Sequence, residues 1–277
     1  MFDIKFPRTV SYSSGWRWIN EGFRYFSPYK NIWILSLFLI VLVLIAVKFL
    51  VPVLQIIILF LLPFVTAGLS LACADIEQNK KMSLEYLLSG FNSPNRLNLF
   101  RYGLLLMLMI IVAQMVSTII LTMMGVSQEQ LVSELQTLQE NSNATFSSLL
   151  ESEVMSKFLF VSALSLLPVI AVNLFAPIIL VFSNYSAFYA VKLSFLAVLR
   201  NLPAIIVYAI IYILLLVIII FATDWLGNLL VSLLGNQSAI AVVIYSLLFY
   251  SLIFVLGAVS YSSAYVAFKD IFLGEDL

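Results

Sequence analysis

Histidine is absent from this 277-residue sequence, and cysteine occurs once, as Cys73. The first absence removes the commonest metal ligand and general base of proteins. The second excludes an intrachain disulfide and a cysteine-rich metal site. Charged residues make up only 10% of the chain, whereas a soluble domain carries about 25%. The composition therefore argues against a water-soluble domain and against metal chemistry, and we expect no cofactor.

Long hydrophobic runs are what the sequence has instead. Hydrophobic residues account for 63% of the chain, and the mean hydropathy is +1.09. A helix needs about 20 consecutive apolar residues to cross a bilayer. Six stretches reach that length, approximately residues 31–49, 53–74, 97–124, 158–182, 203–222 and 238–264. We predict an all-α integral membrane protein with six transmembrane helices, in a single polytopic domain over residues 1–277.

The basic residues predict how these helices are oriented. When the connections are assigned alternately to the two sides, twelve of the 14 Lys and Arg residues lie on the side that carries both termini. Only Lys48 and Lys157 lie on the other side. Because positive charge is retained in the cytoplasm during insertion, both termini are predicted to be cytoplasmic. On the outer side, Leu131, Leu135 and Leu138 predict a short amphipathic helix.

Three similar entrances to the odd-numbered spans suggest an internal repeat. Each span follows a turn that contains proline, which is tolerated in the first turn of a helix. The three entrances are Gly22-Phe23 with Ser27-Pro28, Gly90-Phe91 with Ser93-Pro94, and Asn201-Leu202-Pro203. We predict three units, about residues 14–76, 83–190 and 191–272, related by a pseudo-threefold axis along the membrane normal.

Each unit is predicted to open with an amphipathic helix at the membrane interface, followed by a helical hairpin. The apolar residues of these lead-in segments are Trp16, Ile19, Phe23 and Phe26 in the first, then Leu84, Leu87, Leu88 and Phe91 in the second, with Ser83 as its N-cap. The third covers about residues 189–199. The even-numbered spans carry small residues in pairs, such as Ser70 with Ala74, which allow helices to approach closely in lipid. We therefore expect the inner halves of the even spans to meet at the centre.

This arrangement resembles a broad group of uncharacterised bacterial inner-membrane proteins with six spans. It is also similar to the membrane region attached to some glycerophosphodiester phosphodiesterases. The residues that carry the resemblance are Gly15-Trp16, the Gly-Phe and Ser-Pro entrances, and the closing Ala267-Phe268-Lys269-Asp270-Ile271-Phe272. The resemblance implies a multi-pass protein of the bacterial inner membrane, and it implies no reaction and no functional residue.

Four residues within the spans are candidates for a ligand site or for polar contacts between helices. Asn173 and Gln114 are uncharged polar residues at membrane depth, and Pro177 and Pro63 weaken the backbone ladders of the fourth and second spans. Interruptions at matching positions of repeats mark binding sites in many transporters. The alternative is that the polar side chains bond across helices and the prolines only shape the bundle.

Three functions are compatible with these residues. We expect a non-enzymatic scaffold or accessory protein that organises partner proteins or lipid, because reactive groups are scarce. The alternative is a transporter or channel for an apolar or zwitterionic solute or lipid, with a site near the fourth span. An intramembrane enzyme, with Asp75 and Glu77 as its charged groups, is a third and weaker alternative. The expected partners are membrane lipid, another membrane protein or a cytoplasmic protein. Nucleic acid is not expected, since the formal net charge is +0.

Overall fold

The computed structural model describes residues 4–50, 55–140, 151–235 and 239–274, and the described residues form helices and connecting turns without strands. The helices are α1 (Ser14–Phe26), α2 (Lys30–Leu50), α3 (Gln55–Glu77), α4 (Tyr86–Ser89), α5 (Arg96–Met123), α6 (Gln128–Glu140), α7 (Glu153–Phe182), α8 (Ala187–Arg200), α9 (Leu202–Leu234) and α10 (Ala239–Phe268). A 3-10 turn, Ser27–Tyr29, joins α1 to α2, and a π-helical turn, Lys269–Leu273, follows α10.

Six of these helices, α2, α3, α5, α7, α9 and α10, account for the stretches that are long and apolar enough to cross a membrane. Many of their large apolar side chains face outward, such as Leu108, Ile213 and Leu247, which are 57%, 60% and 64% exposed. Water would not tolerate this much exposed apolar surface, but lipid does. The prediction of an all-helical chain with six helices able to span a membrane is confirmed.

Two helices are longer than their apolar runs predicted. Helix α9 continues past residue 222 to Leu234, and its extension carries polar residues on the helix surface, where Asn228 donates to Asp224 one turn earlier at 3.4 Å. At 33 residues it is about 50 Å long, more than a bilayer core requires. Helix α7 begins at Glu153 because the Ser152 hydroxyl accepts a hydrogen bond from the Met155 amide at 3.3 Å.

The even-numbered spans α3, α7 and α10 each contact the other two, as the small residues predicted. Their buried residues concentrate toward the end of the bundle that carries Ile4 and Gly274, which we call the terminal end. Ala67, Phe175, Ile179 and Phe268 are all 0% exposed there. The centre of the bundle near the terminal end is therefore filled by side chains.

The lead-in segments pack against even-numbered spans: α1 on α10, α4 on α3 and α8 on α7. Helix α4 is shorter than its leucine pattern predicted, and Ser83 does not cap it through its side chain. The amides of Leu87, Leu88 and Phe91 bond three residues back, which produces turns around a short helix. Close approach to α3 explains this, because a Cβ on Gly90 would lie 2.0 Å from the carbonyl oxygen of Phe64.

The short helix predicted at Leu131, Leu135 and Leu138 is present as α6, although the side chain of Leu138 lies outside the residues that the structure describes. Leu131 packs against a small cluster formed by Leu121, Val126 and Val161. This cluster attaches α6 to the ends of α5 and α7.

Candidate functional site

The carboxylate of Asp270 is the centre of a polar cluster at the terminal end. Asp270 is 0% exposed. Its Oδ1 accepts a hydrogen bond from Arg8 Nη2 at 2.8 Å, and its Oδ2 accepts from Arg17 Nη2 at 2.7 Å and from Trp18 Nε1 at 2.8 Å. A buried charge is tolerated only when it is paired and hydrogen-bonded. These donors meet that requirement for Asp270.

The carboxylate of Glu77, at the end of α3, gathers a second set of donors. It accepts hydrogen bonds from the hydroxyls of Tyr25 and Tyr265, and it forms an ion pair with Lys269, whose side chain is 8% exposed. Lys269 and Asp270 are adjacent but reach different partners, because successive side chains of a helical turn point about 100° apart. Helices α3 and α10 and the first lead-in segment are thus joined through charged side chains.

The segment of residues 4–10, which we call the N-terminal strap, runs across this end of the bundle. The amides of Lys5 and Arg8 donate to the carbonyls of Phe272 and Ile271 at 3.1 and 3.0 Å. The Asn201 side chain accepts from the Val10 amide at 2.8 Å and donates to the Arg8 carbonyl at 3.0 Å. The strap therefore ties α8 to the turn after α10.

Two further residues hold the beginning of the strap. The Tyr185 hydroxyl donates to the carbonyl of Ile4 at 3.0 Å. The Arg200 guanidinium donates to the carbonyl of Pro7 at 2.9 Å and lies over the ring of Phe6, 4.7 Å from its centroid. Together with the Asp270 and Glu77 clusters, these contacts close the terminal end of the bundle.

Asn173 and Pro177, two of the predicted site residues, lie together on α7. The Asn173 side-chain oxygen accepts a hydrogen bond from the Tyr102 hydroxyl of α5 at 3.0 Å. Pro177 is buried in the core, and α7 stays helical through both of its prolines. Asn173 thus makes a polar contact between helices, which is the alternative to a ligand site that the sequence left open.

The other two predicted residues lie elsewhere. Gln114 is exposed on α5, twelve residues from Tyr102 and therefore about 18 Å along the helix. Pro63 is buried inside α3. The structure does not bring Gln114 into contact range of the ring that Asn173 touches.

Ser194 of α8 is a residue whose role the sequence did not indicate. Its hydroxyl donates to the carbonyl of Ala171 at 2.9 Å and accepts from the amide of Phe175 at 3.2 Å. It therefore bridges two groups of α7 that a regular helix would bond directly, one turn before Pro177. The feature of the sequence that could have indicated this role is a serine on the buried face of an otherwise apolar lead-in helix.

Two grooves of more than 500 Å³ open on the apolar outer surface of the described part of the bundle. One, of about 620 Å³, lies between α2 and α10 and includes Ser246, Tyr250 and Ser251. The other, of about 520 Å³, lies between α5 and α7 beside Pro168 and includes Ser165. Both walls are mainly apolar, so both grooves suit hydrocarbon or a helix better than a polar solute.

The chain matches no protein-family model, no curated protein and no solved structure. What it does is therefore inferred from its own residues.

The chemical resources of the clusters are limited. Within the described parts of the chain, no group of three or more His, Cys, Asp or Glu residues is placed to hold a metal ion. Asp75 is engaged by Lys80 at 2.7 Å and by the hydroxyl of Tyr86 at 2.6 Å. Burial and the hydrogen bond to Asp75 raise the pKa of Tyr86 to about 12, so its phenol remains a donor at physiological pH. These groups join elements of the fold.

Proposed function

We propose that the chain is a non-enzymatic scaffold or accessory protein of the bacterial inner membrane that organises partner proteins or lipid. The observation that carries this proposal is the combination of a closed terminal end with grooves that open sideways into the bilayer. A path through the centre would have to cross the ion-paired strap and the packed residues Phe175, Ile179 and Phe268. Surfaces for association remain open along the sides.

The orientation belongs to the same proposal. Arg8, Arg17, Lys269 and Arg200 all lie at the terminal end, where they bond acidic residues and backbone carbonyls of that end. Positive charge at this end would place it in the cytoplasm. The strap and the lead-in segments would then be the part of the protein that cytoplasmic partners meet.

A pseudo-threefold arrangement is also proposed, and the order of contacts supports it. Each lead-in segment packs on the even-numbered span of the preceding unit, α4 on α3, α8 on α7 and, closing the ring, α1 on α10. Two of these contacts share their chemistry. Asp75 of the first unit accepts from Tyr86 of the second lead-in, and Asp270 of the third accepts from Trp18 of the first. The proposal includes the lead-ins as amphipathic helices at the membrane interface. On α1 this is supported by Trp16 and Phe23, which are exposed beside a buried face.

Extraction in copolymer nanodiscs, which keep surrounding lipid, tests the function. The tagged chain is expected to retain a partner protein in near-stoichiometric amount or a reproducible set of phospholipids. Filling the groove between α2 and α10 with Ser251→Trp should reduce what is retained. Ile213→Trp, on the exposed surface of α9, is the matched control and should leave it unchanged. A monomer that retains no partner protein and whose lipids match the composition of the bulk membrane would contradict the proposal.

The transporter alternative has one specific observation in its favour. The hydroxyl of Ser165 is buried without a hydrogen-bond partner in the described structure, in the groove beside Pro168. Pro168 cannot bond the carbonyl of Leu164, so a second polar group is left there. Transport by this route predicts that Ser165→Ala alters solute flux in proteoliposomes. Unchanged flux of every solute tested would exclude the route.

A further inference from the structure

A cleft of about 270 Å³ beside the start of α5 is separate from both lateral grooves. It is lined by Phe64, Phe91, Arg96, Leu97 and Phe100. Helix α5 has 28 residues and is about 42 Å long, whereas the hydrocarbon core is about 30 Å thick. We assign the surplus length to the first turns of α5, at the level of lipid headgroups, because Arg96 and Arg101 lie there. Three aromatic rings line the cleft beside Arg96.

The aromatic walls of the cleft are held by the fold. The ring of Phe91 stacks on Phe64 with 4.5 Å between centroids and 4° between planes. Phe100 meets Phe60 edge-on at 4.8 Å. The close contact of Gly90 with the Phe64 carbonyl brings the two elements together. Because Phe91 is stacked on Phe64 and Phe100 is packed against Phe60, the cleft does not have to form when a ligand arrives.

The charge at the rim comes from Arg96, which is exposed. In the described part of the chain, Arg96 forms no ion pair with a carboxylate. Arg101 follows on an exposed part of α5 and donates to Asn98 at 3.3 Å. Between the two arginines, Leu97 and Phe100 are 57% and 46% exposed. Two guanidinium groups thus flank an apolar surface at headgroup depth.

We propose that this cleft binds an anionic glycerophospholipid from the surrounding leaflet. Arg96 binds the phosphate, and one acyl chain packs against Phe91 and Phe100. Charge complementarity selects the anionic headgroup, since an arginine near a membrane surface favours anionic lipid by electrostatic attraction. The aromatic walls favour a lipid over a free anion, because inorganic phosphate has no acyl chain to pack against them. This inference names the lipid class for the lipid-organising part of the proposed function and rests on that part.

Native mass spectrometry of the detergent-purified full chain tests the site. Phosphatidylglycerol and phosphatidylcholine with identical acyl chains are titrated separately. The wild type is expected to bind phosphatidylglycerol about fivefold more tightly than phosphatidylcholine. The Arg96→Gln variant should bind the two lipids about equally. Arg24→Gln, which removes an exposed arginine paired with Glu21 on α1, is the matched control and should bind as the wild type does. Equal affinity for the two lipids, or an unchanged Arg96→Gln variant, would overturn the proposal.

A second pair of measurements separates a lipid from a simple anion. Phe100→Ala shortens the apolar wall at a half-exposed position, so the chain should still fold, and it is expected to weaken phosphatidylglycerol binding several-fold. Inorganic phosphate at millimolar concentration is expected not to displace the lipid. If phosphate displaces the lipid, or if Phe100→Ala binds phosphatidylglycerol as tightly as the wild type, the acyl chain does not pack in this cleft. Either result would overturn the proposed site. Retention of partner proteins is measured independently, so failure here is distinguishable from failure of the proposed function.

Discussion

Asp270 shows how a single acidic residue can organise one end of a membrane protein. Its side chain is fully buried, yet Arg8 and Arg17 are each 38% exposed at the side chain. The arginines therefore keep part of their hydration while they neutralise the buried charge, which lowers the desolvation cost of the pairs. Replacing the carboxylate by an amide would remove the negative charge that Arg8 and Arg17 bind and would leave one oxygen to accept from three donors.

Asp270→Asn is accordingly expected to lower the free energy of unfolding by about 2–3 kcal/mol. This is near the low end of losses from broken buried ion pairs, since the arginines can be solvated. Thermal unfolding of purified protein in one detergent measures the change. Glu21→Gln, which removes the exposed pair with Arg24 at 3.0 Å, should cost less than about 0.5 kcal/mol. Equal stability of Asp270→Asn and wild type would show that the cluster does not hold the strap.

At the scale of the elements, glycines set how closely the lead-in segments approach the spans. A Cβ on Gly22 would lie 2.3 Å from Ser263 Oγ and 2.8 Å from the Ser263 amide nitrogen. The backbone of α10 cannot move aside cheaply, so Gly22→Ala should displace α1 and destabilise the protein by about 1–3 kcal/mol. At Gly257 the nearest atom is the flexible Leu37 Cδ1, at 3.1 Å.

Gly257→Ala is therefore the control, and it is expected to be neutral or stabilising by up to about 1 kcal/mol because alanine favours the helix. Thermal unfolding in detergent and the rate of limited proteolysis near residue 13 report the two effects. Were both variants equally stable, the close approach of α1 and α10 would not be a structural constraint.

The sequence predicted the elements well where hydropathy alone decides them. The spans followed from apolar runs of sufficient length, and α8 followed from its lead-in pattern. Helix α9 continues past the predicted apolar stretch of residues 203–222, because helix formation there depends on local propensity as well as on hydropathy. The brevity of α4 depends on its contact with Phe64, which no local pattern encodes. One donor to Asp270, Trp18, lies 252 residues away in the chain, and no local pattern encodes that contact.

At the scale of the whole molecule, the two ends of the bundle differ in packing. Near the terminal end the even-numbered spans enclose a filled core, tied by the strap and its ion pairs. Toward the other end, α9 and α10 expose large side chains such as Phe221, Trp225 and Ile240, at 71%, 68% and 66%. These outward-facing side chains of α9 and α10 offer lipid or partner helices an apolar surface along the sides of the bundle. This asymmetry fits association from the side better than passage through the middle.

The two ends should also face different compartments, which cysteine labelling in intact bacteria can measure. Cys73 is buried, so it is replaced by alanine, and a single cysteine is introduced as Ser13→Cys or Ser127→Cys. Ser13 is exposed at the terminal end, and Ser127 is exposed at the opposite end. Because basic residues accumulate on the side of Ser13, a membrane-impermeant maleimide should label only Ser127→Cys in whole cells. Ser13→Cys should become reactive after the cells are opened, and labelling of Ser13→Cys alone in intact cells would reverse the proposed orientation.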